Sequence, residues 1–410
     1  MTVNGECGKA MERVLLVLLG IITLFGVRCA QAKGSTAVWE VLHQSAVRLY
    51  QDGQYDSASA FALQALAEAE RLEGVHDTLY ATTLSNLATI YDTQGRIGAA
   101  AIFYDSALVI WEALNKSEYI TMMSDRLYSL AMALYGRGEY GKAEIPFRRV
   151  LHVRIEQLGA EDGSVATCLG FLALTCMKLG KYTEAESMYL QAIDISEKVF
   201  GPDNVRTATY LDNLGGLYSA QNWHVDALDY HLRALKQFEK ALGVVDKDVA
   251  VCLGNVGSEY HEMNELEKAI VFYDSALVIF QQCDNVDSGS VATVMDNLAA
   301  VYLLQEKYAK AERHRKRALA LYKESLGPEH PEVGVTLSNL GHLYALEEKY
   351  ALAEDAYKRA VSILEKSLGP NHSMVATTLQ DLIDLYTVTE RLIEADSLTK
   401  RVAKIRLLQQ

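Results

Sequence analysis

The sequence predicts an all-α protein, a solenoid of about nine helix–turn–helix units, and three observations carry that expectation. The first is a repeat: the position of Asn86 recurs at Ser129, Phe171, Asn213, Asn255, Asn297, Asn339 and Asp381, 42 residues apart save for one step of 43. The second is a column of alanines at the same spacing, Ala58, Ala100, Ala143, Ala185, Ala227, Ala269, Ala311, Ala353 and Ala395. The third is a column of helix-ending residues, Gly74, Lys116, Gly159, Gly201, Gly243, Asn285, Gly327 and Gly369. The segment Phe103 to Ile110 even returns verbatim at Phe272 to Ile279.

Within a unit the pattern reads as two antiparallel helices. Helix A carries apolar residues at helical spacing, as in Val333, Leu337, Leu340, Leu343 and Tyr344. A turn follows at Gly53, Gly95, Gly138, Gly180, Asn222 and Asn264. Helix B then opens on Tyr-x-x-Ala, as at Tyr182 to Ala185, Tyr308 to Ala311 and Tyr350 to Ala353. Alanine there lets neighbouring helices approach, and Tyr189, Tyr273 and Tyr357 fill the gaps between units. The helix ends on the glycine column, where a left-handed residue costs least. Three residues on stand Asp77, Asp162, Asn204, Asp246 and Ser288, expected N-caps of the next helix A. His330 and His372 take the same capping place, with Pro331 in a first helical turn. Pro146, inside helix B of the third unit, is the one local misfit. Units are expected to start near 37, 78, 120, 164, 206, 248, 290, 332 and 374, filling 33–410 and leaving no span for a separate catalytic domain.

The first 32 residues read as a secretory signal: Arg13, an apolar run from Val14 to Val27, then Ala30-Gln31-Ala32. The run is short for a membrane span, which needs ~20 residues. The expected location is therefore periplasmic or secreted, the alternative being an uncleaved N-terminal anchor. Cleavage leaves Cys168, Cys176, Cys252 and Cys283, with no C-x-x-C pair for a metal or redox site. Half of the 410 residues are apolar, which excludes a disordered chain, and a formal charge of −14 argues against a nucleic-acid partner.

The motif Leu326-Gly-Pro-Glu-His-Pro331, with Leu337-Ser-Asn-Leu340 and Tyr350-x-x-Ala353-Glu354, resembles the 42-residue tetratricopeptide repeat (TPR) of kinesin light chains. The likeness covers essentially the whole chain after the leader. No heptad segment for a motor heavy chain is visible, and an export signal contradicts a motor role. The resemblance implies a right-handed superhelix of TPR units with a concave groove lined by the A helices, holding a protein or an extended peptide. It further implies that Asn86, Asn213, Asn255, Asn297 and Asn339 point into that groove and bond a peptide backbone, an amide being donor and acceptor at once. The alternative for each asparagine is a bond to neighbouring helices. Ser129, Phe171 and Asp381 are read as breaks in this ladder. Three residues after it stand Thr89, Met132, Leu174, Gly216, Ser258, Ala300, His342 and Asp384, a polar and small mixture without a basic track.

No catalytic constellation appears. His261-Glu262 begins a His-Glu-x-x-His search that ends on Glu265, and no phosphate-binding or nucleophile-elbow motif stands on a strand–turn–helix. The sequence therefore predicts a non-enzymatic scaffold with no cofactor or metal. A structural or assembly part of a cell envelope, docking through convex faces, is the alternative. Its candidate patch is Lys310, Arg313, Arg315, Lys316 and Arg317 on helix B of the seventh unit. A solvated outer face is the plainer reading of that cluster.

Overall fold

The structure, a computed structural model, describes residues 36–73 and 77–408. The expected leader, residues 1–32, and Gly74 of the helix-ending column lie outside the described residues. Eighteen helices and no strand occur among the described residues.

The chain divides at Val199 and Phe200 into two units. The N-terminal unit holds α1 (Ala37–Gln51), α2 (Tyr55–Glu73), α3 (Thr78–Thr93), α4 (Ile97–Ala113), α5 (Ser117–Gly136), α6 (Tyr140–Leu158), α7 (Gly163–Lys178) and α8 (Tyr182–Phe200), which ends at the division. The C-terminal unit holds α9 (Val205–Ser219), α10 (His224–Leu242), α11 (Lys247–Glu262), α12 (Leu266–Phe280), α13 (Ser288–Leu304), α14 (Tyr308–Ser325), α15 (Pro331–Leu346), α16 (Tyr350–Leu368), α17 (Ser373–Val388) and α18 (Leu392–Leu407). Odd-numbered helices are the A helices and even-numbered ones the B helices.

Caps and turns follow from local chemistry. Asp77, Asp162, Asn204 and Asp246 each accept the backbone N–H two residues on, at 2.8–3.3 Å. His330 and His372 do the same through Nδ1, which accepts from Glu332 and Met374. Two positions differ from the sequence reading. The cap of α13 is Asp287, not Ser288, because its carboxylate reaches the Ser290 N–H at 3.0 Å. The left-handed residue after α4 is Asn115 (φ 53°), not Lys116, because Lys116 already stands at the N-cap of α5. Pro146 leaves α6 continuous, although it has no N–H for the Lys142 carbonyl.

The turn from A to B is left-handed in every pair. Glycine holds it in the first four pairs, Asn222 and Asn264 in the next two, and Glu306, Glu348 and Glu390 in the last three, at φ 58–59°. Glutamate is no turn former, so the sequence pattern passed over those three positions. Packing explains the alanine column: from Ala58 to Ala353 it is wholly buried, and a side chain there would hold the paired helices apart.

Successive pairs of the C-terminal unit are also tied by charge. Glu312 accepts from the Tyr344 hydroxyl (3.2 Å), and Glu354 accepts from the Tyr386 hydroxyl (3.0 Å) and from Arg391 (2.7 Å). Lys358 above all, with Arg391 and Tyr386, outweighs partial burial and lowers the Glu354 carboxyl from the usual 4.5 to about 2. A carboxyl depressed in the folded state stabilises above its unfolded pKa and loses that contribution as pH falls through its folded one. Melting temperature should therefore fall between pH 5 and 2, more shallowly in Glu354→Gln; equal slopes would remove Glu354 from the account.

Candidate functional site

In each unit the candidate site is the face formed by its odd-numbered helices, where the asparagine column runs. Helical spacing puts residues at i, i+3 and i+7 on one stripe, so Asn339, His342 and Leu346 share a face of α15. The structure places four of the five asparagines, Asn86, Asn255, Asn297 and Asn339, at the seam between consecutive A helices. Asn86 Nδ2 lies 3.3 Å from His43 Nδ1. Burial lowers the His43 imidazolium to about 4, so the ring is neutral and its Nδ1 accepts. Asn255 donates to both Asp212 carboxylate oxygens (3.0 and 3.2 Å), and Asn339 donates to Asp296 Oδ2 (3.0 Å). For Asn297 the equivalent residue 43 places earlier is Gly254, and its amide donates instead to Ser258 Oγ (3.3 Å). Asn213 is half-buried on α9.

Each of these four amides thus directs its Nδ2 at the preceding A helix; Asn86 is buried, whereas Asn255, Asn297 and Asn339 are half-buried. Asp381 continues the geometry: it accepts from Ser338 Oγ at 3.3 Å, the same bridge with its polarity reversed. Ser129 turns back to the Asp125 carbonyl of its own helix, and Phe171 stacks on Phe147.

The carboxylates under the ladder are the residues that sequence reasoning missed. His231 Nδ1 lies 2.7 Å from Asp212 Oδ1, with the imidazole buried and pressed over Gly215. Arg315, only 4% exposed, sets Nε 3.5 Å from Asp296 Oδ1 and donates through Nη1 to the Asn339 backbone carbonyl at 2.6 Å. Burial raises the Asp296 carboxyl and lowers the Arg315 guanidinium, and their mutual attraction opposes both shifts.

Arg315 therefore does not belong to an outward basic patch. It points into the pair, while Lys310, Arg313, Lys316 and Arg317 are exposed. Of these, Lys316 is paired with Glu312 at 2.7 Å and Lys310 lies over the Tyr302 ring. A signal was available: the column four residues after the buried alanine reads Tyr104, Phe147, Tyr189, His231, Tyr273, Arg315 and Tyr357. Its two basic members each have an aspartate 19 residues earlier.

One group of metal-type donors exists among the described residues, Glu144, Cys176 and Glu184. Arg148 and Lys181 already hold these carboxylates at 2.6–2.8 Å, and burial raises the Cys176 thiol to about 11. That donor set is an ion-pair cluster around a protonated thiol, a poor fit for a cation. No helix among the described residues is long and apolar enough to cross a membrane.

A helices bridged in this way, backed by B helices on an alanine column, define a helical-repeat solenoid. Tetratricopeptide repeat family models match residues 40–113, 164–240, 290–366 and 335–407, and a further one matches 125–162. The chain belongs to the tetratricopeptide repeat family. Among solved structures it is similar to the apo form of the quorum sensor NprR from B. thuringiensis, at 14% identity over 90% of this chain and 97% of that one (TM-score 0.56). It is also similar to a Rap protein complexed with Competence and Sporulation Factor, at 16% identity over 90% and 97% (TM-score 0.51). The kinesin light chain-type TPR-like repeats of Podosopora anserina align at 16% identity over 49% of this chain and 95% of theirs (TM-score 0.41). No curated protein matches the chain.

Proposed function

We propose that the chain is an exported, non-enzymatic scaffold whose A-helix groove binds a peptide or protein partner. The observation that carries the reading is the ladder itself: side-chain amides at one register of the A helices, four of which, Asn213, Asn255, Asn297 and Asn339, remain partly exposed on that face. A Rap protein of this fold class is complexed with a factor, which supports a groove open to a ligand. Export rests on the leader-like residues 1–32. A second reading, docking through the outer helices, is favoured by one feature of the N-terminal unit. There an apolar cleft of about 440 Å³ opens between α4 and α6, rimmed by Ile102 and Ile145, which are 67% and 71% exposed.

Affinity capture from envelope and secreted fractions tests the two. Truncating Asn255 or Asn339 would also disturb a buried carboxylate, so the sharper variant fills the groove instead. A side chain at Gly216 meets open space, and Ala300 is half-buried on the same face of α13. Gly216→Trp with Ala300→Trp should keep the melting temperature and lose the partner. A partner retained by this variant would overturn the groove reading and favour the outer cleft, where Ile102→Asp and Ile145→Asp should then release it.

A further inference from the structure

We infer that the groove of the C-terminal unit takes a basic, partly apolar segment of a partner along a rim of alternating leucine-type and glutamate side chains on its last three pairs. The inference rests on the groove being the binding face and names the chemistry of what enters it.

The rim repeats three times. Seven residues after the ladder position, on the groove stripe, stand Leu304, Leu346 and Val388, which are 58%, 48% and 66% exposed. Two residues further on are Glu306, Glu348 and Glu390, all exposed. The six earlier pairs have no such combination: in the C-terminal unit, for instance, the places read Ala220 with Asn222 and Glu262 with Asn264.

The glutamates sit at φ 58°, 59° and 58°, a left-handed backbone where glycine or asparagine serves the other pairs. Nothing about the turn asks for a carboxylate, and L side chains other than Asn and Asp rarely adopt it. The charge is kept against the local preference three times in succession.

Nearby cations are held elsewhere. Lys307 donates to Gln305 at 2.7 Å, Lys349 pairs with Glu347 at 3.0 Å, and Arg391 is held by Glu354 and Glu394 at 2.7 and 2.9 Å. Deeper on the same stripes lie Asp384, exposed on α17, and Asp381. Apart from His342, exposed on α15, the rim and floor of these pairs are therefore apolar and acidic together, which complements lysine or arginine interleaved with apolar residues. Helices pack 8–10 Å apart, and an extended chain rises about 3.3 Å per residue. A cation roughly every third residue would therefore meet successive glutamates.

The test uses the full chain and a fluorescein-labelled 15-residue peptide of five Lys-Ser-Leu triplets, followed by anisotropy. The Lys peptide is expected to bind at least about tenfold more tightly than its Glu-Ser-Leu counterpart. Replacing Glu306, Glu348 and Glu390 together with Gln should weaken it about tenfold, as should Leu304→Ser with Leu346→Ser. Removing three outward carboxylates, Asp229→Asn, Asp274→Asn and Asp355→Asn, should leave it unchanged.

Glu348→Gly separates turn from rim: relief of the left-handed strain should raise Tm while binding falls. Absence of Lys-peptide binding, a rim variant that binds like the native chain, or equal weakening by the outward set would each overturn the rim assignment. If the Gly216→Trp, Ala300→Trp variant loses its captured partner while the rim variant keeps it, the rim assignment alone falls. If the groove-filling variant keeps its partner, the groove reading falls with it.

Discussion

Asp296→Ala is expected to cost about 3–5 kcal/mol, because it leaves the Arg315 guanidinium buried without its carboxylate. Chemical denaturation followed by circular dichroism would measure the loss. The sharper result is its reversal. In α15 and α16 the same places hold Ser338 and Tyr357, with Gly341 where α13 has Ala299. A Cβ at Gly341 would stand 2.8 Å from the Tyr357 ring, so tyrosine in this column needs glycine above it. The triple variant Asp296→Ser, Ala299→Gly, Arg315→Tyr should therefore recover most of what Asp296→Ala loses. Replacing a buried ion pair by packed apolar surface is commonly neutral or better. A triple variant as unstable as the single one would show that the charged pair is not interchangeable with Tyr over Gly.

Tyr273→Ala should be comparably severe, about 3–5 kcal/mol, since its ring is fully buried against Gly257 and truncation opens a cavity. Removing only the hydroxyl separates two kinds of tyrosine. Tyr273 donates to Ser258 Oγ at 3.0 Å, and Ser258 also accepts from Asn297, so Tyr273→Phe should cost about 1 kcal/mol. The Tyr189 hydroxyl is buried and meets no hydrogen-bond partner among the described residues. The position that supplies Thr89 or Ser258 in other pairs is Leu174 here. Tyr189→Phe should therefore leave stability unchanged or slightly raised. A loss like that of Tyr273→Phe would mean that a water satisfies the phenol.

Almost all of the architecture was legible because each repeat states it again: a misread cap such as Ser288 is corrected by neither its own spacing nor its own chemistry, but the columns around it still fix the helix pair. The site was half legible. The asparagine column was plain, whereas its acceptors were not, since Asp212 and Asp296 lie 43 residues before the asparagines they meet and look like surface acids on a polar stripe. His231 and Arg315 stood out only against a column of aromatics. The glutamate turns were invisible for a different reason. Residue type did not dictate their backbone; the packing of α13 on α14 and of the pairs beyond did.

The alternation of buried chemistry along the C-terminal unit bears on how the chain avoids misassembly. Units so alike, down to an octapeptide shared by α4 and α12, invite a B helix to dock on the wrong A helix as the chain collapses. In α9–α10 and α13–α14 the docked faces are acid on base; in α11–α12 and α15–α16 they are glycine under an aromatic ring. If α14 closed on α11, Arg315 would be buried opposite Gly254 with no carboxylate. If α12 closed on α13, the Tyr273 ring would meet Ala299 and strand Asp296. Exchange between α11–α12 and α13–α14 is thus penalised in both directions, and there the correct partner is chosen by mismatch of the wrong ones.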